Sequence, residues 1–145
     1  MINEIKFPVI TYHVENPHLH LVSSHYILSK CTRLALKKKY FEDLYIISSD
    51  GNEYRVIEAK KKSIDWKSSG LIDLISFNPF LIIDLVFDQN YKAKRDVAYL
   101  QEKLLLSIED DRVYWEDLEK REVFVKRIEL VKSVEHIIEI MDNYY

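Results

Sequence analysis

An α+β domain spanning residues 1–145, built mainly on an antiparallel sheet with one early helix and two to three C-terminal helices packed on it, is the fold this sequence predicts. Alternating apolar and polar runs gather before Phe87, and helical periodicity sets in after Tyr91. Between two β-rich runs, Leu44–Ser48 and Glu53–Ile57, stands Ser49-Asp50-Gly51-Asn52. Asp-Gly in that setting is the strongest short-range hairpin signal a chain can carry. Two glycines and three prolines in 145 residues leave room for few sharp loops.

Taken in order, Ile5, Phe7 and Val9 alternate with polar residues, and Ile10, Tyr12 and Val14 continue on the opposite parity. Pro8 stands at the switch, which predicts an edge strand or a bulge. Asn16-Pro17 marks a turn, and His18–Leu21 alternates again as a strand pairing back on the first. Ser24 is a helix N-cap, and Ile27, Leu28, Cys31, Leu34 and Ala35 form the apolar stripe of one helix running to about Lys39. The hairpin spans Asp43 to Lys60 and a basic loop, Lys61 to Gly70, holds Trp66. Leu71–Ile75 fits either a short helix or a strand, whereas Leu81–Phe87 is apolar and β-branched enough to be an interior strand. Helices are expected over Tyr91–Asp110, over Trp115–Val131 and after an N-cap at Ser133.

Composition narrows function. Net charge is −3, against the surplus of Lys and Arg that general nucleic-acid binding needs. One cysteine excludes an internal disulfide and a Cys-rich zinc site. No signal peptide or membrane-spanning run is apparent, so the expectation is a cytoplasmic protein without membrane contact. Ten tyrosines suit half-buried sheet faces and contact surfaces alike. Acid is densest from Glu109 to Glu122. A solvated helix face accounts for that run, and so does a surface that steers a basic partner.

Three constellations could carry chemistry. A two-residue Asp50-Gly51 turn would set Asp43 opposite Glu58, with Tyr45, Ile47, Tyr54, Val56 and Lys60 on the same face. Two carboxylates and an ammonium together could hold Mg²⁺ and orient a water, or merely form a cross-strand pair eased by lysines. His13, His18 and His20 would face one another across the Asn16-Pro17 turn, as a metal site or as solvent-facing imidazoles. Trp66 among Lys60, Lys61, Lys62 and Lys67, and Trp115 amid Glu109, Asp110, Asp111, Glu116 and Asp117, are candidate partner contacts or core anchors.

Two resemblances follow. Asp43 with Glu58-Ala59-Lys60 resembles the PD-(D/E)xK nuclease pattern in residue type, order and setting. No proline precedes Asp43, and the helix before it lacks the acidic residue many members supply. That resemblance implies a Mg²⁺-dependent nuclease with Asp43, Glu58 and Lys60 as its catalytic set. The overall layout is similar to small cytosolic immunity proteins that neutralise secreted bacterial toxins. It rests on Cys31-Thr32-Arg33-Leu34-Ala35-Leu36 running into Tyr40-Phe41-Glu42-Asp43-Leu44, the Ser-Asp-Gly hairpin, and Lys132-Ser133-Val134-Glu135-His136-Ile137-Ile138-Glu139-Ile140. It implies a non-enzymatic module, without cofactor, that covers a basic toxin surface. The second expectation is the favoured one.

Overall fold

The computed structural model describes residues 4–110 and 117–144. Its strands are β1 (Val9–His13), β2 (Asn16–Val22), β3 (Lys30–Thr32), β4 (Leu44–Ile47), β5 (Asn52–Ile64), β6 (Phe80–Phe87) and β7 (Ala93–Lys94). They form one antiparallel sheet in the order β2-β1-β4-β5-β6-β3, with β7 beside the start of β5. The helices are α1 (His25–Leu28), α2 (Arg33–Lys37), α3 (Leu71–Ile75), α4 (Val97–Asp110), α5 (Leu118–Glu129) and α6 (Val134–Tyr144). The fold is α+β, as the patterning predicts.

Alternation along the strands feeds two cores, one on each face. Ile10, Tyr12 and Ile47 meet Leu100, Leu104, Phe124, Ile128, Ile137 and Met141 beneath α4, α5 and α6. Val9, Leu44, Ile46 and Val56 turn the other way, towards Leu28, Cys31, Phe41 and Ile83. Neighbouring Ile46 and Ile47 are both fully buried yet belong to different cores, so the centre of the sheet is covered on both faces. Asp117 caps α5 by accepting from the Glu119 and Lys120 amides. Ser133 accepts from the His136 amide at the start of α6, as its sequence position predicts.

α4 begins at Val97 rather than Tyr91, after β7, and β5 runs on to Ile64 into the expected basic loop; two larger corrections concern the early helix and the hairpin. The helix predicted from Ser24 to about Lys39 is two short helices with β3 between them. Ser24 and Thr32 each cap one of the pair. The break occurs because Lys30, Cys31 and Thr32 pair with Ile82, Leu81 and Phe80, giving the outer edge of β6 a partner. Sheet pairing thus overrides a helical stripe. Cys31 is buried in that strand, and burial pushes its thiol pKa up.

The second correction concerns the hairpin. The strands pair as predicted, but Ser48 N–H bonds the Asn52 carbonyl and Gly51 N–H bonds the Ser48 carbonyl, both at 2.9 Å. Ser49-Asp50-Gly51 is therefore a three-residue loop, with Gly51 in the left-handed region at φ +85°. Ile47 pairs with Glu53 and Leu44 with Val56. One extra loop residue shifts the register by one and exchanges the faces of β5. Tyr45 and Ile47 share their face with Glu53 and Arg55, not with Tyr54 and Val56.

Candidate functional site

The connection between β5 and β6 begins at Asp65, and its two ends are clasped. The Asp65 amide donates to the Phe80 carbonyl at 2.9 Å, and the Phe80 amide donates to Ser69 Oγ at 2.9 Å. Ser69 Oγ in turn donates to the Asp65 carbonyl at 2.8 Å. Tyr26 of α1 reaches across to donate to the Asp65 carboxylate at 2.7 Å. That bond, with the Ser68 hydrogen bonds, holds the Asp65 carboxyl below the usual carboxylate range. Lys30 of β3 donates to Ser68 Oγ at 3.1 Å while lying over the Tyr26 and Phe80 rings. The base is thereby tied to both α1 and β3.

Above this base stands a crest of apolar side chains. Trp66, Leu71, Ile72, Ile75 and Phe77 are all exposed, Ile72 and Phe77 at 80% and 78%. Each such side chain forgoes on the order of 1.5–3 kcal/mol of burial free energy. Phe77 follows α3 with φ +56°, a conformation that suits glycine or asparagine and is uncommon for a bulky residue. The Leu34 amide of α2 donates to Asn78 Oδ1 at 2.8 Å, and the Arg33 amide to the Pro79 carbonyl at 3.1 Å. Both ends of the crest are fixed, and its apex is apolar and open.

The residues singled out from sequence fall differently. Trp66 lies on the crest, 66% exposed. Glu109 and Asp110 end α4, exposed, with Asp110 Oδ2 3.5 Å from His18 Nε2, and Asp117 serves as the α5 cap. Asp111, Trp115 and Glu116 lie outside the described residues. Asp43 and Glu58 do not stand opposite one another. Asp43, at φ +59° just before β4, accepts from Arg55 at 2.6 and 3.0 Å and shares a recess with Tyr45. Glu58 lines a separate recess with Phe41 and Ala59, 3.5 Å from Lys60. The three-residue turn and a bulge between Val56 and Glu58 separate them.

His13, His18 and His20 do come near one another. The His20 pKa is lowered by burial first and then by the charges of His18 and His13. Among the described residues, however, no three His, Cys, Asp or Glu side chains are grouped to hold a metal ion. His13 packs edge-on to Tyr40 instead, with ring centroids 5.0 Å apart.

One cluster escaped sequence reading. Glu53, only 2% exposed, is ringed by donors: Tyr12 at 2.8 Å, Arg95 at 2.9 Å and Tyr91 through a short bond. The Tyr99 and Tyr12 hydroxyls stand 3.0 Å apart, and Lys103 lies over the Tyr12 ring. Burial, then hydrogen bonds to Tyr99 and Glu53, raise the Tyr12 pKa far above the ordinary phenol value. Burial and the Glu53 bond push Tyr91 up to about 12. A buried carboxylate so fully satisfied is a strut joining β1, β5 and α4. The clue lay in Glu53 as an inward-facing position of β5, legible only once the turn length is known.

Comparison with protein-family models, curated proteins and solved structures gives no significant match. Among the described residues no helix is long and apolar enough to cross a membrane.

Proposed function

We propose that this protein is a non-enzymatic binding module for another protein and that the crest between β5 and β6 is its contact surface. The observation that carries the reading is a row of large apolar side chains held out from a hydrogen-bonded base. Aromatic side chains are enriched at protein interfaces, and Trp is among those that most often carry the binding energy when a partner's pocket closes over them. Phe77 in a conformation unfavourable to its type strengthens the reading, because strain kept at an exposed position points to a use for that side chain. The layout resemblance directs the first search for a partner to a toxin, with the protein acting in the cytoplasm as its immunity factor.

Co-expression with the product of an adjacent gene, a toxin above all, tests this directly. The wild-type protein is expected to co-purify with its partner, and the Ile72→Asp, Phe77→Asp double variant to lose it while keeping the wild-type unfolding midpoint. Capture undiminished by both charges on the crest would refute the crest as the contact surface.

A further inference from the structure

Next to the crest, a groove of about 520 Å³ opens between α2, β5 and β6. Its floor is aliphatic, formed by Leu36, Ile64, Pro79 and Leu81. Its rim is cationic, with Arg33 and Lys37 from α2 and Lys61 from β5. No carboxylate lines it. Three neighbouring lysines have carboxylate partners: Lys39 with Glu42 at 3.2 Å, Lys60 with Glu58 at 3.5 Å and Lys62 with Asp84 at 3.9 Å. Arg33, Lys37 and Lys61 make no ion pair among the described residues. Three unpaired cations therefore surround an apolar floor that carries no carboxylate.

We propose that this groove takes an acidic segment of the partner protein, in which carboxylates bracket an aliphatic side chain. This rests on the crest as the contact surface and adds the sign of the charge that the partner must carry beside it. The aliphatic side chain would cover the floor formed by Ile64 and Leu81, which are paired across β5 and β6. The carboxylates would meet Arg33, Lys37 and Lys61, with arginine able to engage one in a two-pronged fashion. A nucleic acid fits less well, since the groove offers no aromatic ring on which a base could stack. Continuity with the crest through Asn78 and Pro79 favours a polypeptide that runs across both.

A fluorescein-labelled peptide of sequence Glu-Leu-Glu-Glu-Leu-Glu is the probe, with a Gln-for-Glu peptide as control, both titrated with the whole chain. The acidic peptide is expected to bind, the control not, and binding to weaken as salt screens the rim. The Arg33→Glu, Lys61→Glu double variant should bind it at least about tenfold more weakly with an unchanged unfolding midpoint. The milder Lys37→Gln should weaken it less, and amide shifts should concentrate on residues 33–37, 61–64 and 80–81. Equal binding of both peptides, indifference to charge reversal, or shifts elsewhere would overturn the proposal. So would a dimer dispersed by charge reversal, which would assign the groove to a second copy of this chain. The Ile72→Asp, Phe77→Asp variant separates the two readings. It should still bind the acidic peptide, so a failed crest and a failed groove give different results.

Discussion

The Glu53 cluster and the crest place their chemistry in opposite ways. On the helical side of the sheet, a buried carboxylate is satisfied by an arginine and two phenols, with a third phenol beside them. On the other side, a tryptophan, a phenylalanine and three aliphatic side chains are pushed into solvent on a firmly tied base. Each departs from the usual partition of polar and apolar groups. The first departure is compensated within the chain, by hydrogen bonds from Tyr12, Tyr91 and Arg95. The second has no compensation inside the described structure. A feature that the fold itself completes is structural, and one it leaves incomplete asks for something from outside.

Breaking the completed region should have the largest effect. Arg95→Met leaves the Glu53 charge buried without its ion pair and is expected to cost about 3 kcal/mol in chemical denaturation. Tyr12→Phe removes one donor from the same carboxylate, at about 2 kcal/mol. Gly51→Ala attacks the turn that sets Glu53 inward. A methyl there would stand 2.8 Å from the Arg95 carbonyl, in a left-handed conformation costing about 1–2 kcal/mol before any clash.

Acidity separates the two regions further. Tyr91 and Tyr12 have folded pKa values raised above the unfolded phenol value near 10. Their contribution is full below pH ~10 and is lost as pH climbs through the folded values, the first at about 12. Phenolate absorbance should therefore show late-ionising tyrosines, Tyr12 and Tyr91 together with Tyr54, which burial on the opposite face also raises. Asp65 behaves oppositely, because its folded pKa lies below the unfolded value of ~3.9. Its clasp is complete above that pH and weakens as pH falls through the depressed value. Trp66 fluorescence in a Trp115→Phe background should respond there while the Glu53 side of the sheet keeps its amide protection.

The smallest effect has the opposite sign. Phe77→Gly relieves the left-handed strain and should stabilise the free protein by about 0.5–1 kcal/mol, while weakening partner capture. Loss of stability on that change would remove strain from the argument for Phe77.

Much of this fold was legible because periodicity is strong in β1, β2, β4, β6 and the last three helices, and because Ser24 and Ser133 stand at their caps. What failed turned on contacts between distant segments. Residues Lys30–Thr32 leave the helix because β6 needs an edge partner, which no local stripe can reveal. The loop length at Gly51 decides which face Glu53 takes, and Asp-Gly is compatible with both two- and three-residue loops. Trp66 was visible as a candidate contact from its basic surroundings. Leu71–Ile75 was not, because an apolar run at helical spacing ordinarily reports a core, and exposure is a property of the finished packing.

The bond from the Asp65 amide to the Phe80 carbonyl has a further meaning. It holds the two ends of the crest side by side whatever lies between them. Closing a loop costs entropy that grows only slowly with its length. The stretch from Leu71 to Phe77, beyond the serines of the clasp, is therefore a cassette: it could be shortened, lengthened or exchanged with little demand on the sheet beneath. A lineage facing a changing partner could rewrite its recognition there and leave both cores alone.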